Sequence, residues 1–212
     1  GGPRRPAVIV AGSPVGFTRY STHGRIHVHL DQSGPEHVVL LKKQRSLGTV
    51  FLSPLRRRIS DEELRPLAGV PMKGLAILNA SVSSSGLEAL KGHASIESIR
   101  LGRTAVTDLG IGQCGKMPNL GRLANDEAEI TDAALAKIAE MKQLKAVSFF
   151  SCPRITDEGV VQLAQLEGLE SLFLNNNRRL TSDIIKPLCR LSKYNRLELD
   201  GIKLSPADFP AL

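Results

Sequence analysis

Four stretches of this sequence carry residue types that do chemistry in other settings. The first is Gly110–Met117, GIGQCGKM. Spaced glycines followed by a lysine can cradle phosphates, because the backbone approaches the ligand and the lysine reaches the terminal phosphates. Gly110, Gly115 and Lys116 fit that pattern, but Met117 stands where a serine or threonine would hold magnesium. No buried strand runs directly into the segment, as a phosphate-binding βαβ unit requires. The second stretch holds His23, His27 and His29. His27 and His29 share one strand face, a geometry suited to paired metal ligation. No third ligand stands nearby, so an exposed polar face is the expectation. The third is SSSG at 83–86, which has no neighbouring base and belongs to a turn. The fourth is the trio Cys114, Cys152 and Cys189. Their odd number and wide spacing imply no disulfide framework, and unpaired thiols weigh toward a reducing, cytoplasmic setting. Asn79 heads an Asn-Ala-Ser acceptor that matters only in a secreted chain. Nowhere do a nucleophile, a base and an acid converge. The sequence points away from an enzyme, and no catalytic residue, cofactor or metal is expected.

The elements that would position any site follow from composition and periodicity. The chain has 212 residues, 42% of them hydrophobic and 23% charged, which excludes a disordered tail. Aromatics are only 4% and tryptophan is absent, so the apolar mass is leucine, isoleucine, valine and alanine, which suits thin, repeated layers. No apolar run approaches the roughly 18 residues that a membrane helix needs. Charge is lopsided. Residues 1–58 hold ten Lys and Arg against two Asp and Glu, while the remainder is nearly balanced.

A repeat organises the rest. Taking Ile155 as position zero, apolar residues fall at Val160, Leu163, Leu166, Leu169, Leu172 and Leu174. The copy from Ile130 places Leu135, Ile138, Met141, Leu144, Val147 and Phe149 at the same offsets, and the copy from Leu180 places Ile185, Leu188, Leu191, Tyr194, Leu197 and Leu199. Further copies begin at Ile59, Val82 and Val106, and a start at Leu204 opens a seventh. The leucine pairs have period two and mark a short strand. Ser60, Thr107, Thr131 and Thr156, each followed by Asp, are expected helix N-caps with the carboxylate beside the positive helix end, and Ser60 with Glu63 is expected to form a capping box. No unit buries its apolar face alone, so neighbours must stack.

The pattern ITDEGVVQLAQLEGLESLFLNNN resembles the leucine-rich repeat superfamily, closest to the cysteine-containing class and to bacterial arrays of TDxGLxxLxxL units. The resemblance implies an α/β fold, a right-handed solenoid with a concave parallel β-sheet and short convex helices. Residues 59–212 form the repeats, six full and a seventh broken off. Residues 1–58 form a capping region and a degenerate first repeat, in which Ile26, Val28 and Leu30 read as a strand paired with AVIV at 7–10. The ladder position that usually holds Asn or Cys holds Asn177 and Cys152 but also Thr104, Ala128 and Ile202, so no continuous ladder is expected. His93 and Asn125 occupy apolar positions and need partners.

Residues flanking the inward leucines point outward. The columns give a candidate binding face of Phe51, Arg100, Arg122, Asp126, Phe150, Phe173, Asn175, Arg196 and Glu198. Exposed aromatics beside arginines are common binding hot spots; the alternative is that Phe150 tucks under the strand rim. The resemblance implies a non-catalytic scaffold that binds a protein partner on this face. Two other readings stay open: a target-recognition module of a larger effector or ubiquitin-ligase adaptor, and electrostatic binding of nucleic acid or an anionic membrane surface through the basic first quarter. The broken seventh copy, with Phe209 and Leu212, leaves the last strand an unprotected edge, so continuation past residue 212 or an oligomer covering that edge is expected.

Overall fold

Short alternating segments recur every 23 to 25 residues, and each becomes one strand of a single sheet. The computed structural model describes residues 8–10, 17–22, 25–30, 47–52, 59–191, 193 and 195–203, with side chains from residue 47 onward. The strands are β1 (Val8–Val10), β2 (Phe17–Thr22), β3 (Arg25–Leu30), β4 (Leu47–Leu52), β5 (Met72–Leu78), β6 (Ser98–Gly102), β7 (Arg122–Asp126), β8 (Ala146–Phe150), β9 (Ser171–Phe173) and β10 (Arg196–Glu198). They lie side by side in sequence order. From β3 to β10 every pair is parallel. The first two pairings differ from expectation. AVIV does not pair with β3; β1 pairs with β2, and β2 pairs with β3, both antiparallel. The segment FTRYST escaped notice because its polar residues mask the alternation. The register Thr22↔Arg25 leaves only His23 and Gly24 between β2 and β3, the spacing of a hairpin.

Between strands the chain returns through short helices: α1 (Asp61–Leu64), α2 (Ser84–Glu88), α3 (Asp108–Cys114), α4 (Asp132–Ala139), α5 (Asp157–Gln162) and α6 (Ile185–Leu188). Several run on into or begin with a 3-10 turn, as at Arg65–Gly69, Leu163–Gln165 and Ser182–Ile184. The apolar repeat positions among the described residues turn inward. Leu163, Leu166, Leu169, Leu172 and Leu174 are buried, as are Ile138, Leu144, Val147 and Phe149, and Leu64 through Ile99 at the matching offsets. Leu197 and Leu199 pack against this core while partly exposed. Burying one such side chain contributes about 1.5–3 kcal/mol. Strands sit about 4.8 Å apart, whereas packed helices need about 8–10 Å. A stack of such wedges bends the sheet inward, so its open face is the concave one.

Successive layers are joined at two edges by different means. At the helix starts the joint is a carboxylate. Asp61 accepts from the backbone N–H of Ser83 at 2.7 Å and its hydroxyl at 2.6 Å. Asp108 does the same to Thr131, Asp132 to Thr156 and Asp157 to Thr181. The Asp of each Thr-Asp pair therefore reaches the next layer, a role beyond that of a charge beside its own helix. The hydroxyls of Ser83, Thr131 and Thr181 in turn cap the N–H two residues on; Thr107 and Thr156 make no such bond. Glu63 accepts from both the N–H and the hydroxyl of Ser60, completing the capping box. In one layer Ser84 replaces Asp and bonds Thr107 and the N–H of Gly110.

At the strand ends the joint is backbone. Asn79, Arg103, Glu127, Ser151 and Asn176 all adopt positive φ between 50° and 60°, and Gly201 follows at 80°. Each non-glycine case is uncommon and costs roughly 1–2 kcal/mol. The compensation is one bond per layer: the N–H groups of Asn79, Arg103, Glu127, Ser151 and Asn176 donate to the carbonyls of Gly102, Asp126, Phe150, Asn175 and Asp200. Just inside this corner Asn177 accepts from Cys152 N–H at 2.8 Å and donates to Phe149 carbonyl at 2.9 Å. Thr104, Ala128 and Ile202 form no such rung among the described residues.

Candidate binding face

The open face is built from the residues between the inward leucines. Parallel pairing puts equal repeat positions side by side, so Gly74, Ser98, Arg122 and Ala146 form one row and Phe51, Ala76, Arg100, Ala124, Ser148 and Phe173 the next. The floor of these rows is small. Gly74 must be: a Cβ there would lie 2.7 Å from Thr49 Oγ1 and 2.8 Å from Ser98 Oγ. The result is a trough of about 290 Å³ over Ala76, Ala124 and Ala146, with Phe51 at one end, Phe173 at the other, and Arg100 and Arg122 along it.

Of the nine predicted face residues, four meet around the trough: Phe51, Arg100, Arg122 and Phe173. Arg100 is held, its Nε donating to Asp126 at 2.8 Å. A second group lies beyond β9. Arg196 stands 5.2 Å over the Phe173 ring and donates to Glu198 at 2.7 Å. Glu198 also accepts from Asn175 at 3.0 Å, and Asn175 accepts from the Asp200 N–H. The Asn175 amide first, and then the Arg196 guanidinium, hold the Glu198 carboxyl below the usual carboxylate range. Phe150 belongs to neither group. It is 43% exposed and sits one row beyond the trough, paired with Asp126. It does not fold under the rim, because the strand ends at Phe150 and the left-handed Ser151 turns the backbone away.

Sequence reading passed over the small residues that make the trough; the signal was a column of Gly, Ala and Ser where other columns hold bulk. It also passed over the flanking ion pairs Lys73–Glu97 and Lys145–Glu170. The Arg103–Glu127 pair on the neighbouring rim raises the arginine and lowers the carboxylate, chiefly through their shared hydrogen bonds.

Most of the other chemical candidates resolve as packing, whereas Cys189 is exposed. Gly110 lies buried in α3, where a Cβ would come 2.7 Å from Val106 and 2.8 Å from Ser84 Oγ. The GIGQCGKM glycines therefore serve layer contact. Burial pushes the Cys114 thiol up to about 12 and Cys152 to about 11, far from the thiolate that reaction needs. His93 finds a partner in the Val70 carbonyl at 3.0 Å. Asn125 is fully buried with neither amide atom bonded among the described residues. The His23, His27 and His29 side chains, Tyr194, most of the basic first quarter and the segment from Leu204 lie outside the described residues. No helix among the described residues is long and apolar enough to cross a membrane.

No family model matches the chain, and no curated protein matches it in sequence. Among solved structures it is similar to the crystal structure of an internalin (inlF) from Listeria monocytogenes str. 4b F2365, at 17% sequence identity and a TM-score of 0.47. That likeness covers 87% of this chain and 64% of the other, so the chain spans just under two thirds of that structure's length. The fold is identified by the layers themselves: repeats of 23 to 25 residues, one strand per layer in parallel register, leucines inward and a short helix on the return. The chain is an α/β leucine-rich repeat solenoid.

Proposed function

We propose that the protein is a non-catalytic scaffold that binds a protein partner in the concave trough of its sheet. One observation carries the reading: an open apolar trough of about 290 Å³ on a face where most neighbouring charges are tied into ion pairs. That volume falls at or below the low end of small-molecule pockets, about 300–1,000 Å³. It has room for one or two side chains of a partner. Open apolar surface ringed by polar groups is the composition of an interface centre with its rim. Burial raises the Cys114 and Cys152 thiols well above the range of a reactive thiolate, and the described residues on the face supply no nucleophile with a base.

The test fills the trough. Ala124→Trp places an indole on its floor without touching the leucine core, and Leu109→Ser alters an exposed leucine on the helix side. Proteins of the source cell retained by wild type and by Leu109→Ser should be lost from Ala124→Trp. An identical retained set for all three overturns the reading.

A further inference from the structure

We infer that the trough recognises a protein segment in which an aromatic or branched aliphatic side chain stands beside a carboxylate, with Arg122 as the residue that selects the acid; this rests on the trough being the binding site. Four cations on or flanking the open face are paired. Lys73 is paired with Glu97, Arg100 with Asp126, Lys145 with Glu170 and Arg196 with Glu198. Arg122 is exposed and makes no ion pair or side-chain hydrogen bond among the described residues. Its row explains why. Ser98 and Ala146 flank it, and the preceding Gly121 has only the Glu97 carbonyl within reach of an added Cβ, at 3.8 Å. A carboxylate could have stood at any of these places, as it does for the other four cations.

The second observation is the trough lining. It includes Arg100 and Arg122 and no Asp or Glu. Arg100 already donates to Asp126, so its charge is largely compensated. Arg122 leaves the trough with an uncompensated positive charge directly over an alanine floor. A partner that brought only an apolar side chain would cover that guanidinium and strip its water without replacing it. A partner bringing a carboxylate would meet it with two parallel charge-assisted bonds. The acids Glu97, Asp126, Glu170 and Glu198, on or flanking the face, each already hold another cation. The electrostatic and apolar features therefore call for one ligand chemistry, an acidic segment with a hydrophobic anchor.

The experiment uses fluorescein-labelled peptides of alternating glutamate and phenylalanine. Companion peptides replace glutamate with lysine, or phenylalanine with serine. Titrations followed by polarisation compare wild type, Arg122→Glu, Arg122→Lys and Ala124→Trp. The Glu/Phe peptide should bind wild type with Kd below about 1 mM, weaken as salt rises, lose about tenfold or more in Arg122→Glu, and recover part of that in Arg122→Lys. Ala124→Trp should abolish it. Thermal melts confirm that each variant is folded. Equal binding of the glutamate and lysine peptides, both lost in Ala124→Trp, overturns the acid selection and leaves the trough standing. Equal binding of the serine peptide overturns it as mere charge attraction. Binding unaffected by either Arg122→Glu or Ala124→Trp, or absent up to 1 mM, overturns both the selection and the trough as its site.

Discussion

The two edges of this solenoid solve the same problem differently. Where helices begin, a carboxylate from each of four layers clasps the N–H and hydroxyl of the next, so the joint depends on a side chain and the sequence shows it as Ser-Asp or Thr-Asp. Where strands end, the bond between layers runs from backbone N–H to backbone carbonyl, and the residue at the corner varies from Asn to Arg, Glu and Ser. Layers need a polar joint at each edge, but only one edge writes it in side chains. The single asparagine rung at Asn177 is a local addition to the backbone edge.

The largest test of that comparison is the rung. Asn177→Leu strands the Cys152 N–H and the Phe149 carbonyl, both in the interior. Each unsatisfied group costs about 1–3 kcal/mol, so a loss of about 3 kcal/mol is expected in urea unfolding. A loss under about 1 kcal/mol would mean that the corner holds without it. Next is Asp132→Ala, which removes two charge-assisted bonds from Thr156 on a half-buried edge; about 1–2 kcal/mol is expected by the same measurement. If Asp132→Ala exceeds Asn177→Leu, the carboxylate edge dominates the array and the ranking inverts.

The smallest expected effect has the opposite sign. Asn125→Leu restores the residue type of its neighbours, Leu101 and Phe149, and removes two buried, unbonded amide atoms. The variant should be about 1 kcal/mol more stable. A destabilised Asn125→Leu would show instead that an internal water completes the amide's bonding and that this layer has its own rung.

The helix-side edge, the inward leucines and the parallel order of the repeats were legible because each is encoded by residue type at fixed spacing. Three things were not. The hairpin of β2 and β3 lacks the repeat altogether, and FTRYST carries too few apolar residues to mark a strand. The left-handed corners are invisible because glycine stands at only one of them, Gly201, and asparagine at two; the register of neighbouring layers imposes the conformation. The face residues were legible as outward, but their grouping was not. That Arg100 is compensated by Asp126 while Arg122 is not depends on diagonal reach across strands, which one-dimensional columns do not contain.

A backbone-only joint also leaves freedom. The corner positions 79, 103, 127, 151, 176 and 201 form six adjacent addresses along one rim of the concave face. Their conformation is dictated by neighbouring backbone, so their chemistry can be rewritten one address at a time without redesigning the scaffold. Already they read amide, guanidinium, carboxylate, hydroxyl, amide and no side chain. In an array of this kind the chemistry of the rim can change while the Thr-Asp edge and the leucines stay put.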